Sequence, residues 1–251
     1  MKTISFLLLL CVACVNTQQN QAVDPNAPFQ IPSPYQVFQS KTGDCALLAS
    51  LASVALVKPY VISNAISGGN DGNYVVKLFD YEHAYKSIYI PVNISELPFS
   101  YTAYSTEEND SANWWVPLIE VAYSKHFGYA QLNSGSDPKF TMELITGESA
   151  TTITNLNSVI TLEQFKKLLQ LVNNNSPVVI STYDTFVLDN NLVPNHSYTV
   201  IYAIDNIVSI RNPWGRSYTS NDFSGIENIT IEEAYALFRD ITILSKELSY
   251  E

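Results

Sequence analysis

The sequence contains little cysteine, and this shortage excludes two kinds of structure. Its 251 residues include three cysteines, Cys11, Cys14 and Cys45, and the first two lie in an apolar N-terminal segment. If that segment is removed, a single thiol remains, which cannot form the disulfide framework of a small secreted protein. Beyond that segment neither Cys-x-x-Cys nor His-x-x-x-His occurs, so we expect no zinc site and no metal cofactor.

Basic residues are also scarce. The chain has 13 Lys and Arg against 24 Asp and Glu, a net charge of −11, and its one basic cluster is the pair Lys166 and Lys167. Such an acidic protein is a poor candidate for binding nucleic acid or anionic lipid. We therefore expect neither nucleic acid nor stable membrane association. The sequence shows no internal repeat and no low-complexity tract.

Residues 1–18 are typical of a secretory signal peptide. Lys2 precedes an apolar run over residues 4–15, and polar Asn and Gln follow it. A membrane anchor is the first alternative, but the run is shorter than the roughly 18–20 residues that span a bilayer. A bacterial lipoprotein signal acylated at Cys14 is the second, although Cys11 occupies a position where that signal has Leu. The sequence predicts a secreted protein, or one in the lumen of a secretory or digestive vesicle.

The rest of the chain predicts an α+β fold in two halves. Residues 19–37 hold four prolines and predict an extended arm over the surface, without helix. Residues 38–150 are predicted to form a helical subdomain and residues 151–251 a strand-rich one. Helices are predicted over residues 44–57, 114–128, 160–172 and 230–240, and strands over 73–81, 87–94, 177–187, 196–204 and 207–212. With 46% hydrophobic residues, the chain can bury one core or two small ones around a cleft.

Cys45 stands at the start of the most hydrophobic helix, which suggests two roles, core residue or nucleophile. A cysteine nucleophile needs a base, a group that orients the base, and donors for the oxyanion. A position in the first helical turn favours the thiolate. Three histidines could act as the base; His83 and His126 lie in polar surroundings typical of surface residues, whereas His196 opens a strand.

Asn212 follows the next strand, and the hairpin between the two strands decides whether it meets His196. A two-residue turn at Asp205 and Asn206 would place Asn212 opposite Thr199, on the wrong face. One more loop residue would place it opposite Tyr198, diagonal to the histidine. We therefore predict either a three-residue loop or a bulge in this hairpin.

Three segments carry a family resemblance. GDCALLASLASVAL (43–56), NHSYTVIYA (195–203) and IRNPWG (210–215) resemble the catalytic motifs of the calpain family of cysteine proteases. The match extends over roughly residues 30–245 and includes the helical segment that starts at WWVPLIEVAYSK. The resemblance implies a papain-like fold whose helical first half carries the nucleophile and whose antiparallel second half carries His and Asn.

Residue by residue, the resemblance assigns roles to five side chains. Cys45 would be the nucleophile, His196 the general base and acid, and Asn212 the group that orients the imidazole. Gln39 would supply the oxyanion-hole amide, and Trp214 would shield the His–Asn hydrogen bond from water. The implied activity is a cysteine endopeptidase that hydrolyses protein or peptide substrates through a thioacyl-enzyme.

Departures from the family pattern concern the cleft and calcium. Ala46 replaces the Trp after the nucleophile, and Asn195 replaces the Gly before the histidine. Gln36 stands where the family has a calcium-binding acid, the acidic turn reads Gly-Tyr-Ala at 128–130, and the acidic loop after IRNPWG is short. We expect calcium independence and no regulatory subunit. N-glycosylation sequons start at positions 93, 109, 174, 195 and 228, and a glycan on Asn195 would crowd the histidine.

Three other readings compete with the protease. A catalytically inactive relative that binds peptides is the first, and Ala46 with the missing calcium ligands favours it. A transglutaminase-type acyl transferase is the second, which would use Asp where this chain has Asn212. A buried core thiol at Cys45 is the third.

Overall fold

The structure is a computed structural model of the chain. It describes residues 31–80, 86–96, 114–184, 192–218 and 224–245. The predicted signal peptide, most of the predicted arm and His83 lie outside the described residues.

Helices surround a small sheet in the first half of the chain. Helices α1 (Cys45–Val57) and α2 (Pro59–Ala65) are followed by strands β1 (Ile66–Gly68), β2 (Asn73–Asp80) and β3 (Lys86–Asn93), and then by helices α3 (Trp115–Phe127), α4 (Tyr129–Asn133) and α5 (Pro138–Thr146). The strands form an antiparallel sheet in the order β1-β2-β3, so β3, which contains Pro91, is an edge strand. The sequence did not predict the short strand β1.

The sequence explains where helices α1 and α3 end. Lys58 and Pro59 end α1, and Pro59 starts α2, because proline suits the first turn of a helix and not its interior. Gly128 ends α3 as predicted, with φ of 90°, a value that favours glycine. In the part of the chain that is described, no single helix could cross a membrane, and only α1 and α2 together, bent by 112°, meet the length and apolarity required.

Strands dominate the second half. Its elements are β4 (Ala150–Ile153), α6 (Leu156–Val159), α7 (Leu162–Leu169), β5 (Val178–Thr182), β6 (Ser197–Ile204), β7 (Ile207–Arg211), β8 (Ile226–Thr230), α8 (Ile231–Leu237) and β9 (Phe238–Leu244). They include a six-stranded antiparallel sheet in the order β4-β9-β5-β6-β7-β8. This confirms the predicted α+β organisation.

The β6–β7 hairpin contains a two-residue turn and a bulge. Ile204 pairs with Ile207 across the turn, and the register shifts between Val200 and Tyr202, which leaves Ile201 as an extra residue. Thr199 therefore pairs with Arg211, so the next residue comes level with Tyr198. The predicted bulge is confirmed, and the alternative of a longer loop is wrong.

Among the described residues, α1 contacts two large apolar cores and a third, small apolar cluster. The first contains Leu47, Leu51, Trp115, Leu118 and Leu144, and the second contains Phe165, Val178, Tyr198, Ile210 and Phe238. The C-terminal residues Leu56 and Val57 of α1 pack against the second core, so one helix contacts both. The boundary near residue 150 remains a prediction.

The described end of the N-terminal arm differs from the prediction. Pro34–Gln36 form a 3₁₀ turn, capped by Ser33 in a reciprocal pair with Gln36, so the expectation of no helical turn is wrong here. Val37 is fully buried, which also contradicts a purely superficial arm. Burial of Val37 fixes the chain two residues before Gln39.

Candidate active site

Cys45 is the first residue of α1 and is half-buried beside β6. Burial raises the pKa of its thiol above the usual 9.0, hydrogen bonds from the Ser197 backbone and hydroxyl and from the Ala46 N–H lower it, and the Asp44 carboxyl raises it. Ser197 directly follows His196, so the thiol lies against the start of the histidine strand. Sequence reasoning did not identify Ser197 as a neighbour of the thiol.

His196 is bonded to Asn212 inside the protein. The two side chains are joined by a 2.9 Å hydrogen bond between the histidine Nε2 and the asparagine Oδ1, and both are buried. The Trp214 backbone N–H also donates to this Oδ1 at 2.9 Å. Because Oδ1 can only accept, Nε2 carries a proton in this bond, and Nδ1 of the neutral ring can accept one.

Trp214 covers this pair. Its ring centroid lies 5.2 Å from that of His196. The ring centroid of Tyr198 lies 5.1 Å from that of His196, and these two rings meet edge to face. Burial lowers the pKa of His196 to about 4, and the bond to Asn212 raises it only in part. The imidazole is therefore neutral near pH 7 unless a negative charge forms beside it.

The backbone of His196 is held by the neighbouring strand. Its N–H donates to the Thr182 hydroxyl and its carbonyl accepts from the Thr182 N–H, both at 3.0 Å. Asn195 precedes it with φ of 48°, a left-handed conformation that asparagine tolerates well, and its N–H donates to the Tyr183 carbonyl at 2.8 Å. These bonds fix the backbone position from which the His196 imidazole projects. The exposed side chain of Asn195 lies outside this buried network.

Gln39 lies between the arm and α1. Its backbone N–H donates to the Pro213 carbonyl at 2.8 Å, and its amide Nε2 donates to the Thr42 carbonyl at 2.7 Å. The Thr42 carbonyl fixes the amide orientation, because a flipped amide would bring two oxygens together. An amide nitrogen has two hydrogens, so one remains for a developing oxyanion.

A carboxyl pair lies beside Cys45. Asp44 is fully buried, and its carboxyl contacts that of Glu120 on α3, which is also buried. Burial raises the pKa of Asp44 to about 7, and the bond to Glu120 lowers it in part. Two buried carboxyls in contact share a proton, so this pair is partly protonated near neutral pH.

The remaining predicted positions lie apart from this group. His126 is exposed near the end of α3, as expected of a surface histidine. The Gln36 Oε1 accepts from the Ser33 N–H and from the buried Trp115 indole N–H, both at 2.9 Å. The Gln36 amide oxygen is thus engaged by two donors of the protein itself. No three His, Cys, Asp or Glu side chains within the described ranges cluster as metal ligands.

Comparison with known proteins agrees with the geometry of the site. A family model described as "Calpain family cysteine protease" matches residues 19–228. A protein from Schistosoma mansoni named "Calpain" is 26% identical over 217 residues, which cover 78% of this chain and 28% of that protein. The chain thus spans under a third of the length of this relative. The helical first part and the antiparallel second part agree with the papain-like fold of the matched family.

Proposed function

Because the chain belongs to the calpain family of cysteine proteases, we propose that it is an endopeptidase with Cys45 as nucleophile, His196 as base and acid, and Asn212 as orienting residue. The observation that carries the proposal is the 2.9 Å hydrogen bond between the buried side chains of His196 and Asn212. Ser197, the residue after His196, contacts the Cys45 thiol, so the bond lies close to that thiol. Protein and peptide substrates are the proposed partners.

The proposed reaction begins with proton transfer from Cys45 to His196. Burial disfavours a lone thiolate and a lone imidazolium, but the transfer creates both together, so each charge stabilises the other. The thiolate attacks a peptide carbonyl, and the oxyanion accepts hydrogen bonds from the Gln39 amide and the Cys45 N–H. His196 then protonates the leaving amine. Water activated by His196 hydrolyses the thioester and restores the thiol.

We also propose that this activity does not require calcium. Gln36 occupies a position where the family has an acid, and its oxygen is committed to Ser33 and Trp115. If the proposal is correct, a calcium chelator leaves the rate of peptide hydrolysis unchanged. Activity that disappears with chelator and returns with added calcium would contradict it.

Secretion, or delivery to a vesicle lumen, is proposed from residues 1–18 alone. The apolar run and polar end of this segment support a cleaved signal. Expression of the full chain in a secreting cell, followed by N-terminal sequencing of the exported protein, tests it. An exported protein should begin close to residue 19. Intact chain retained in the cytosol would overturn the proposal.

The protease proposal is tested by labelling and by cleavage. An epoxide-type thiol inhibitor is expected to form a thioether at Cys45, and the wild-type protein is expected to cleave unfolded casein. Cys45→Ser is the matched control and should show neither result, while retaining the unfolding temperature of the wild type. Peptide binding without labelling or cleavage would instead support the inactive relative that binds peptides.

A further inference from the structure

Arg211 is a buried cation without an acidic partner among the described residues. Its side chain is 1% exposed. Of the three guanidinium nitrogens, only Nη2 makes a hydrogen bond to a described residue, and it donates to the Val37 carbonyl at 2.8 Å. Burial lowers the pKa of the guanidinium to about 10, which reflects the cost of removing this charge from water. A neutral apolar side chain would pack here at less cost, so stability alone does not explain an arginine.

The guanidinium lies against the segment that leads to Gln39. Its carbon is 6.0 Å from the centre of the Tyr35 ring and 5.4 Å from that of Phe38. These two rings flank Val37, the residue whose carbonyl Arg211 binds. One side chain therefore contacts three of the four residues that precede Gln39.

The turn after Arg211 contacts the same segment again. The Gln39 N–H donates to the Pro213 carbonyl, and the Phe38 ring packs so closely on Gly215 that a Cβ there would lie 2.1 Å from the ring. Residues 211–215 thus hold residues 35–39 at several points. Asn212, which orients the histidine, belongs to the same turn.

We propose that Arg211 is a positioning residue for the oxyanion hole, which fixes residues 35–38 so that the Gln39 amide faces the carbonyl attacked by Cys45. This inference rests on the proposed protease function. Arg211 touches neither substrate nor thiol and acts through Val37 and Phe38. Arg211 thereby links the Gln39 amide to strand β7, which is followed by Asn212, the residue bonded to His196.

Arg211→Met and Arg211→Lys test the role of the guanidinium. Methionine keeps an unbranched stem but removes charge and donors, whereas lysine keeps the charge and one donor group. We expect Arg211→Met to lower kcat for a peptide substrate by about 10- to 100-fold, since a small misplacement of a positioned group has effects of this size. KM should change less than about threefold, and Arg211→Lys should recover part of the kcat.

Two readouts separate positioning from general damage. Alkylation of Cys45 by iodoacetamide forms no oxyanion, so its rate in Arg211→Met should stay within about twofold of the wild-type rate. If Arg211 acts through Gln39, the double variant with Gln39→Ala should be no slower than Gln39→Ala alone. Losses that multiply in the double variant, alkylation that slows with kcat, or an unchanged kcat in Arg211→Met would each overturn the inference.

Phe38→Leu provides the same test if Arg211→Met does not fold. Leucine keeps the contact apolar and removes the ring beside the guanidinium, so a fall in kcat with unchanged alkylation supports the inference, and an unchanged kcat opposes it. The activity of the wild-type protein distinguishes failure of the proposed protease function from failure of the inference about Arg211. A wild-type protein that neither labels at Cys45 nor cleaves casein removes the proposed function and the inference together, whereas an active wild type with indifferent variants removes the inference alone.

Discussion

The Thr199 hydroxyl donates a 2.8 Å hydrogen bond to the carbonyl of Ala49, and both residues are buried. Ala49 lies one helical turn after Cys45, and Thr199 lies two residues after Ser197, which contacts the thiol. Four helical residues rise about 6 Å and two strand residues about 7 Å, so the step from Cys45 to Ala49 nearly equals the step from Ser197 to Thr199. The bond therefore fixes the separation between Cys45 and the strand that follows His196.

Thr199→Val tests this link. Valine has nearly the shape of threonine but no hydroxyl, so the Ala49 carbonyl loses a buried donor, at a cost of about 1–3 kcal/mol in the free energy of unfolding. Urea unfolding measures the loss. Thr199→Ser keeps the hydroxyl and should lose distinctly less. Equal losses in the two variants would show that the bond does not hold the helix to the strand.

Gln39→Ala should lower kcat and leave substrate binding nearly intact. Alanine removes the amide that we propose as an oxyanion donor, and loss of one such donor costs about 10²–10³ in kcat. Steady-state kinetics on a peptide substrate measures it. Gln131→Ala, at an exposed position of α4, is the matched control and should behave as the wild type. A Gln39→Ala variant with full kcat would remove Gln39 from the mechanism.

The sequence predicted much of this site because its motifs are local. Gly43 to Leu56 predicted the helix that begins at Cys45, and IRNPWG placed Asn212 at the end of a strand. Register reasoning required a bulge or a longer loop, since a plain two-residue turn would have turned Asn212 away from His196. The structure has the bulge, at Ile201, and the alternation of residues does not encode where a bulge lies.

Burial of charge was the part that sequence could not predict. Asp44 and Arg211 were both within the quoted motifs, yet a motif does not show what surrounds a side chain. Arg211 is buried against residues 35–38, which lie more than 170 positions earlier in the chain.

Gly215→Ala should destabilise the protein more than Gly135→Ala does. Both glycines have positive φ, 66° and 84°, so alanine brings backbone strain of about 1–2 kcal/mol in each variant. At Gly215 the new Cβ would also lie 2.1 Å from the Phe38 ring, whereas at Gly135 the nearest atom, the Gly43 carbonyl oxygen, would be 3.7 Å away, an ordinary contact. We expect a further loss of about 1–3 kcal/mol at Gly215, as in an overpacked core. Thermal unfolding of the two variants measures the difference, and equal losses would contradict it.

Asp44→Asn should stabilise the protein at alkaline pH relative to acidic pH. The pKa of Asp44 rises from 3.8 to about 7 through burial, so the folded protein binds more protons than the unfolded chain between these values. Its favourable contribution is present below about pH 4 and is lost as the pH rises through about 7. The variant lacks this loss, so its unfolding free energy relative to wild type should rise between pH 5 and pH 8 by about 2–3 kcal/mol, because the proton is lost mainly between pH 5 and pH 7 and each pH unit there is worth about 1.4 kcal/mol. Asp205→Asn, in an exposed turn, is the control and should show no such change.

The same substitution should move the reaction of the thiol to lower pH. The Asp44 carboxylate raises the pKa of Cys45, so a neutral amide at position 44 lowers it and leaves more thiolate at a given pH. The rate of iodoacetamide alkylation against pH measures this directly, and the midpoint for Asp44→Asn should fall below that of the wild type. Glu120→Gln provides the complementary comparison, because it removes the carboxyl that shares a proton with Asp44 and leaves Asp44 in place. A midpoint that stays fixed in Asp44→Asn would show that the buried carboxyl does not act on the thiol.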